Sequence, residues 1–399
     1  MEQDKNAAGP QHDKAPQKPA GRRQLRQIVA LVCIVAVVVG ALAGVLSYHG
    51  AKKAALRQQY AAGWVPLAPA MEALGFWEEN GGYTNAIYRV VFQTEDQVAY
   101  KDRFRYSLAG NTQVWDGQTL IRAETLAAML HYQVDAQGGA VPLEYHWGDY
   151  RTVAHATGAE YSEAGIQNYP NSHDALVQNY EMGQRVFEVD FLATADGHLL
   201  VGRGEEADNP PYSQWLAEHP GFAEKALPVD DLMYFMYIHK DMFIITDTKT
   251  KDYDQNITQL TLLRQAAEKY DIAIMDRIIP QIYFRGMQHW VREIYDFPEI
   301  VYTLYATDDT PEDVLGFIRQ EEGVTAVAMW PNMATEEFVA ALDALGRRVY
   351  VHTVNDLAEA AECMRRGVYG LYTDTLYKED ADRILQYCYS GDVPARGAP

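Results

Sequence analysis

The sequence predicts an α/β protein whose main domain is a (β/α)₈ TIM barrel, preceded by one transmembrane helix and a small α+β region. Eight short β-rich runs follow one another between residues 153 and 373, and amphipathic stretches separate most of them, which is the order of elements in such a barrel. Polar side chains collect where these runs end, and active sites of (β/α)₈ barrels lie at the carboxyl ends of the strands. The 399 residues, 48% of them hydrophobic, suffice for this barrel and a second domain.

The first 27 residues, 1–27, form a polar tail that is predicted to be disordered because it is rich in Pro, Gly and Gln. The tail carries six basic residues, namely Lys5, Lys14, Lys18, Arg22, Arg23 and Arg26. It is more basic than the residues just beyond the apolar run that follows, so the N-terminus is expected to be cytoplasmic.

The apolar run 28–47 contains 20 residues and no charge. As a helix it would be about 30 Å long, which matches the thickness of a bilayer core. We therefore predict a transmembrane helix that makes the chain a single-pass protein of the cell membrane, with its barrel domain extracellular. A cleaved signal peptide is the alternative, since Ala41-Leu42-Ala43 resembles a cleavage site. Both alternatives export the rest of the chain.

Residues 51–150 contain two similar stretches, WVPLAPAMEALGFWEENGG and TLIRAETLAAMLHYQVDAQGG. Apolar residues recur in them 55 positions apart, as Val65, Met71, Ala73 and Leu74 and again as Leu120, Leu126, Ala128 and Met129. The pattern predicts a small α+β module. The two stretches look like two copies of one strand–helix–strand unit. Each copy is faintly similar to the repeat of copper-amine-oxidase N-terminal-type domains, which are extracellular modules that bind no copper. A generic α+β spacer is an equal alternative.

The barrel domain is predicted to occupy residues 152–390. Its candidate strands are the runs Val153–His155, Phe187–Phe191, Phe243–Asp247, Ile278–Ile282, Ile300–Leu304, Thr325–Met329, Val349–His352 and Tyr369–Thr373. The amphipathic segments between them include Ser172–Met182, Thr258–Tyr270, Thr310–Glu321, Thr335–Leu345 and Leu357–Arg366. Strands that alternate with helices in this way form a parallel sheet.

The formal net charge of −21 argues against nucleic acid as a partner, because phosphate backbones are bound by basic surfaces. An acidic protein can still bind a single phosphodiester if a metal ion offsets the repulsion. The composition therefore leaves open a small phosphodiester or a lipid head group as the ligand.

Three carboxylates lie on two neighbouring strands of the predicted barrel. Glu188 and Asp190 are two residues apart on one strand, so their side chains share a face, and Asp247 ends the next strand. Inward carboxylates on a core strand are costly unless they are paired or bind a metal. Together with water they suit a hard divalent cation, Mg²⁺ or Ca²⁺.

Other strand ends carry candidates for proton transfer and substrate binding. His155 is a possible proton-transfer group, and Lys249, two residues after Asp247, would face the same centre and could hold a phosphate oxygen. The further candidates for contact with substrate are Gln281, Tyr283, Tyr305 and His352. Each residue also has a purely structural interpretation. A histidine at a strand end often only makes a hydrogen bond within the fold, and Gln281 and Tyr283 can fill the mouth of the barrel. Asp374 and Asn355 fit a helix cap or a turn.

Seven stretches carry a resemblance to a known family: VAHATG, YPNSHDALVQNYEMGQRVFEVDFLATADGHLLV, FIITDTKT, RIIPQIYF, IVYTLYAT, VYVHTVND and GLYTDTL. In this order they resemble the glycerophosphodiester phosphodiesterase family, a group of phospholipase-C-like phosphodiesterase barrels, over about residues 152–376. The block E-x-D-x-x-x-T-x-D-G is specific to this resemblance. The Asp-x-Lys of TDTK looks more like the subgroup near the spider-venom sphingomyelinase D enzymes.

The resemblance implies metal-assisted cleavage of a phosphodiester in which two histidines pass protons. It implies that His155 is the first catalytic histidine, that Glu188, Asp190 and Asp247 bind the metal, and that Lys249 lies near the phosphate.

The chain departs from the family where the second catalytic histidine should stand. Arg203, thirteen residues after Asp190, takes that place. Arginine stays protonated at usable pH, so it cannot shuttle a proton, but it binds phosphate oxygens with two hydrogen bonds. His173 and His198 are the candidate substitutes, and His173, at a helix start, is the better one.

Two functions remain open from the sequence. The first is an exported, membrane-anchored, metal-dependent phosphodiesterase acting on a glycerophosphodiester or a phospholipid-type substrate. The second is a catalytically degenerate barrel that binds a phosphodiester ligand or an envelope partner. The intact His155 and Lys249 favour the enzyme, whereas Arg203 favours the binder.

Overall fold

The computed structural model describes residues 63–85, 88–102, 104–134, 140–168, 170–202, 211–218 and 227–390. These residues fall into two units, one that ends at Leu143 and one that begins at Glu144. The predicted tail and transmembrane helix lie outside the described residues, as does Arg203. Among the residues described, none of the helices combines the length and the apolar character needed to cross a bilayer.

The described part of the first unit is an α+β arrangement of short strands and two helices. Its strands are β1 (Trp64–Pro66), β2 (Trp77–Glu79), β3 (Gly82–Thr84), β4 (Arg89–Gln93), β5 (Val98–Lys101), β6 (Phe104–Ser107), β7 (Thr112–Trp115), β8 (Gln118–Arg122), β9 (Tyr132–Val134) and β10 (Ala140–Pro142). Its helices are α1 (Leu67–Ala73) and α2 (Ala123–Leu130). Strands β2 to β6 form one antiparallel sheet, β1, β8 and β7 form another, and β9 pairs with β10.

The two similar stretches of the first unit adopt the same order of elements, β1–α1–β2 and β8–α2–β9. Their first strands pair antiparallel, with Val65 opposite Ile121 and Pro66 opposite Leu120. Met71 and Leu126, which are 55 positions apart, lie buried in one apolar core. This near-symmetric pairing is compatible with a duplication, which stays a prediction.

The second unit contains a closed parallel barrel. Its strands are β11 (Thr152–Ala154), β12 (Glu160–Ser162), β13 (Gly165–Gln167), β14 (Val186–Ala193), β15 (Leu199–Val201), β16 (Leu227–Pro228), β17 (Phe243–Asp247), β18 (Ile278–Ile282), β19 (Ile300–Thr303), β20 (Val324–Met329), β21 (Arg348–Val351) and β22 (Gly370–Thr373). The barrel follows the order β11, β14, β17, β18, β19, β20, β21, β22, and β22 pairs with β11 to close it. The prediction of an eight-stranded barrel is confirmed.

Alternate residues of the barrel strands fill the interior, because successive side chains of a strand point to opposite faces. The buried cluster inside the barrel includes Val153, Val186, Phe243, Ile245, Ile279, Val301, Ala326, Ala328, Tyr350 and Tyr372. The same alternation turns Glu188, Asp190 and Asp247 inward at the carboxyl ends of their strands. His155 and His352, which were predicted to end strands, lie in the turns just beyond β11 and β21.

The helices of the second unit are α3 (His173–Glu181), α4 (Tyr212–Glu218), α5 (Val229–Ile238), α6 (Tyr253–Glu268), α7 (Met287–Ile294), α8 (Pro311–Ile318), α9 (Glu336–Asp343), α10 (Leu357–Arg365) and α11 (Lys378–Ser390). Side-chain oxygens cap the first turn of five of them, as the sequence allows: those of Ser172, Asp252, Thr310, Thr335 and Asp356. These caps fix where each strand-to-helix loop ends, and so they hold the loops that carry the polar residues.

Gly158, in the turn after β11, is a position where a side chain would not fit. Its φ is 85° and its ψ is 176°, a region used almost only by glycine. A Cβ there would lie 2.6 Å from Cγ of the buried Asn179. We expect Gly158→Ala to lower the free energy of unfolding by about 3 kcal/mol, from backbone strain plus the clash. Urea denaturation followed by circular dichroism measures the loss.

The matched control is Gly346→Ala, because Gly346 also has a positive φ (70°) but no atom within 4 Å of its Cβ position. It should lose only the backbone preference, about 1 kcal/mol. Equal losses in the two variants would show that Asn179 moves aside without cost.

Candidate active site

Three buried carboxylates meet at the carboxyl ends of β14 and β17. Asp190 stands directly opposite Asp247 in the parallel register, and Glu188 lies one inward position earlier on β14. One carboxylate oxygen from each of the three lies within 4.8 Å of the others. The cluster is therefore tight enough for a single ion to contact all three residues.

Hydrogen bonds from the first loops fix two of these carboxylates. The backbone N–H of Ala156 donates to Oε2 of Glu188 at 2.8 Å. The Asn171 amide donates to Oδ2 of Asp190 at 2.9 Å and accepts from the Asp190 backbone N–H at 3.1 Å. Burial, followed by the charge of Asp190, raises the pKa of Glu188 well above its usual value. A nearby cation would offset that cost.

Asp247 is held by donors on both oxygens. The Tyr283 hydroxyl and the backbone N–H of Lys249 (3.1 Å) donate to Oδ1, and the Tyr305 hydroxyl donates to Oδ2 at 3.0 Å. Burial and then the charge of Asp247 raise the pKa values of Tyr283 and Tyr305, so both stay hydroxyl donors. Tyr283 is 2% exposed and lies behind Asp247, outside the set of residues that line the cavity.

Lys249 places its ammonium between two of the carboxylates. Its Nζ lies 2.6 Å from Oδ1 of Asp190 and 2.5 Å from Oδ2 of Asp247. Burial alone would lower the pKa of Lys249, but the charges of Asp247, Glu188 and Asp190 outweigh burial and raise it. The close approach to Asp190 lacks hydrogen-bond geometry, so Oδ1 of Asp190 has no hydrogen-bond partner among the described residues.

The carboxylate cluster fits a hard divalent cation. It offers three carboxylates, the ligands that Mg²⁺ and Ca²⁺ prefer, and an oxygen of Asp190 that the described residues leave without a hydrogen bond. One lysine balances only part of the three negative charges. The predicted ligands Glu188, Asp190 and Asp247 thus come together in space, and their role as metal ligands stays a prediction.

His155 is oriented by two residues from the far end of the chain. Its Nδ1 lies 2.9 Å from Oδ1 of Asp374. The Asn355 amide donates to Oδ2 of Asp374 at 2.6 Å, and its oxygen accepts from the Asp374 backbone N–H at 2.7 Å. A carboxylate on one ring nitrogen fixes the tautomer and leaves the other nitrogen for chemistry. Asp374 therefore positions His155, and Asn355 positions Asp374, in addition to any role of the two residues in a cap or a turn.

A cavity of about 390 Å³ joins these groups, a volume in the range of small-ligand sites. It is lined by His155, Glu188, Asp247, Lys249, Gln281, Tyr305, Trp330, His352, Thr353 and Tyr372. The lining combines charged groups with aromatic rings. Burial, followed by the charge of His155, lowers the pKa of His352 to about 4, so this imidazole is neutral near pH 7.

The two histidines considered as substitutes for the missing one lie apart from this cavity's lining. His198 is exposed in the turn after β14 and lines a separate depression of about 230 Å³ with Tyr212 and Lys269. His173 begins α3, where its Nδ1 lies 3.5 Å from the neighbouring Asp174.

Sequence reasoning missed three residues that line the cavity, Trp330, Thr353 and Tyr372. It noticed Asp374 and Asn355 at the strand ends but assigned them to a cap or a turn. A signal existed for Asp374, because it follows the last strand in the same position that His155 holds after the first. Trp330 directly follows β20 and is 46% exposed, so its place after a strand was the available signal.

Comparison with known proteins finds no matching family model and no match among curated proteins. Among solved structures, the chain is similar to a glycerophosphodiester phosphodiesterase from Parabacteroides distasonis, with 16% identity, a TM-score of 0.46, and coverage of 60% of this chain and 97% of that one. It is also similar to one from Thermotoga maritima, with 16% identity, a TM-score of 0.44, and coverage of 61% and 99%. A third, an Oleispira antarctica phosphodiesterase in complex with its product sn-glycerol-3-phosphate, has 11% identity, a TM-score of 0.45, and coverage of 59% and 97%.

Proposed function

We propose that this chain is a phosphodiesterase that uses a divalent cation to hydrolyse a glycerophosphodiester or a phospholipid-type substrate. The observation that carries the proposal is the convergence of Glu188, Asp190 and Asp247 within 4.8 Å. Glu188 and Asp247 line a cavity together with Lys249 and His155. Phosphoryl transfer is catalysed mainly by positioning and by positive charge on the phosphoryl oxygens. The site offers both.

Each group has a role that its geometry supports. A bound Mg²⁺ or Ca²⁺ would polarise a phosphoryl oxygen as a Lewis acid. Lys249 donates to a second phosphoryl oxygen, from a position that Asp190 and Asp247 fix. His155, oriented by Asp374, moves a proton to or from a reacting oxygen. Tyr305, His352 and Gln281 contact the substrate, and Tyr283 supports Asp247 from behind.

Arg203 is proposed to bind the substrate phosphate without moving a proton. In the glycerophosphodiester phosphodiesterase family, which the sequence resembles, a proton-shuttling histidine stands at this position after Asp190. A guanidinium stays protonated and instead forms two hydrogen bonds to phosphate oxygens. The second proton-transfer group must then come from another residue.

The location of the protein is also a proposal. The uncharged run 28–47 supports a single-pass anchor in the cell membrane, and the basic tail before it supports a cytoplasmic N-terminus. The barrel would then work outside the cell, where its substrate is a small phosphodiester or the head group of a membrane lipid.

The deciding experiment is turnover by the full chain, in detergent and with Mg²⁺ or Ca²⁺, on a panel of glycerophosphodiesters and phospholipids. Release of the alcohol or of a cyclic phosphate that stops when a chelator is added supports the proposal. An inert wild-type chain that still binds the cation and a phosphodiester would indicate a binding protein. Activity that appears only in Arg203→His would attribute the loss of catalysis to that position.

Replacement of Asp374 tests how His155 is positioned. We expect Asp374→Asn to lower kcat by about 10- to 10³-fold, because the amide cannot stabilise a positive imidazole, and the effect should not exceed that of losing the acid–base group itself. The cation affinity should stay unchanged, since Asp374 does not contact the carboxylate cluster. Asp356→Asn, which alters the cap of α10, serves as the control and should retain full activity.

A further inference from the structure

The proposed hydrolysis needs two proton transfers, one from the attacking oxygen and one to the leaving alcohol. Of the residues that line the described cavity, His155 and His352 are the histidines. We propose that His352 is the second proton-transfer group of this site, an inference that rests on the proposed function.

Packing fixes the position of the His352 ring. The ring lies among three aromatic side chains, with centroid distances of 4.5 Å to Trp330, 5.3 Å to Tyr305 and 5.9 Å to Tyr372. His352 is 9% exposed and borders the same cavity as the carboxylates and Lys249. The ring is therefore held at the reaction space by shape, without relying on an ion pair.

The structural alternative for a buried histidine is a ring locked by hydrogen bonds. Nε2 of His352 has no hydrogen-bond partner among the described residues, whereas Nδ1 of His155 is bonded to Asp374. A buried polar atom without a partner is costly, and such atoms in a ligand cavity are commonly retained for function. The absence of a locking hydrogen bond at this atom favours a chemical role for the ring.

The two histidines have environments that assign them opposite roles. Burial among the rings, followed by the charge of His155, lowers the pKa of His352, so its ring is neutral near pH 7. A neutral imidazole has a nitrogen lone pair that can accept a proton, and the lowered pKa makes this acceptor a weaker base than a free histidine. His155 has the carboxylate of Asp374 2.9 Å from its Nδ1, so its ring is held by a partner that His352 lacks at Nε2, and we assign it the transfer to the leaving alcohol. Paired groups whose environments differ in this way divide acid and base roles.

The protons balance in the following step. Neutral His352 takes the proton of the attacking oxygen, from water or a substrate hydroxyl, as the new O–P bond forms. The P–O bond to the alcohol breaks, and the imidazolium of His155 gives its proton to the departing oxygen. If a cyclic phosphate has formed, His155 then takes a proton from water, and His352 returns its proton to the oxygen freed as the ring opens.

The test compares two leaving groups on one phosphoryl portion, an alkyl alcohol and 4-nitrophenol, with the full chain in detergent. His352→Phe keeps the ring packing but cannot accept a proton, so kcat should fall by about 10²- to 10⁴-fold for both substrates. His155→Asn should lose much more activity on the alkyl substrate than on the nitrophenyl one, because nitrophenolate leaves without a proton. His289→Phe, an exposed histidine on α7, is the control and should match wild type.

A second variant distinguishes the loss of a proton acceptor from a disturbance of the ring packing. His352→Ala should be inactive and should regain part of its activity when imidazole is added, while its cation affinity, measured by calorimetry, should equal that of wild type. Wild-type kcat in His352→Phe, or a change in KM alone, would overturn the inference and leave the proposed function standing. An inert wild-type chain would overturn both.

Discussion

Asp247→Asn is expected to lower the affinity for Mg²⁺ or Ca²⁺ by more than about 100-fold and to remove turnover. Asp247 belongs to the carboxylate cluster and also contacts Lys249, Tyr283 and Tyr305. Its replacement removes one of three carboxylates and leaves the half-buried Lys249 with one fewer partner. Losses of 10- to 100-fold follow even when an outer partner of a ligand is removed, so the loss of a ligand should exceed them.

Calorimetric titration of each cation into the full chain measures this effect. Tyr283→Phe is the graded comparison, because it removes only the hydroxyl behind Asp247, and it should cost about 10- to 100-fold in affinity. Asp252→Asn, at the exposed cap of α6, should leave the affinity unchanged. If Asp247→Asn bound the cation as tightly as wild type, the ion would have to sit elsewhere and the ligand assignment would be wrong.

His155→Asn is expected to lower kcat by about 10²- to 10⁴-fold, the usual contribution of one acid–base group. Asparagine keeps a polar side chain of similar reach toward Asp374, so the fold should be retained. The cation affinity should remain at the wild-type value, because His155 is not one of the three carboxylates. Steady-state kinetics on the best substrate of the panel, with calorimetry on the same protein, separates the two quantities.

Two results would contradict this expectation. Near-normal kcat in His155→Asn would mean that the proton is carried by another group. A parallel loss of cation affinity would mean that the imidazole binds the ion, and it would move His155 from proton transfer to ligation.

The strands of the barrel were largely predictable because their sequence pattern is local. Runs such as Phe243–Asp247 and Ile278–Ile282 are short, apolar and bounded by polar residues, and the structure has them with the same ends. Helix α5 was missed because its residues are apolar on most sides: six of its ten residues are buried, so no polar face gave a helical period. Helix α7 was also missed, although its sequence is strongly amphipathic.

The carboxylates of the site were predictable, but the group that orients His155 was not. Glu188 and Asp190 stand out because charged side chains on a buried strand conflict with the apolar pattern. Asp374 lies 219 positions from His155, and the sequence around it fits an ordinary turn. Only the pairing of β22 with β11 makes the two neighbours, and contacts set by such closure are not readable from local residue patterns.

The same closure has a consequence for biosynthesis. All three carboxylates and Lys249 precede residue 250, whereas Asp374 follows the last strand of the barrel. A nascent chain that has emerged only as far as β21 therefore carries every candidate cation ligand but lacks the partner of its first-strand histidine. Under the proposed function, His155 would be oriented for proton transfer only after the final strand has been inserted, so a chain that lacks β22 should be inactive.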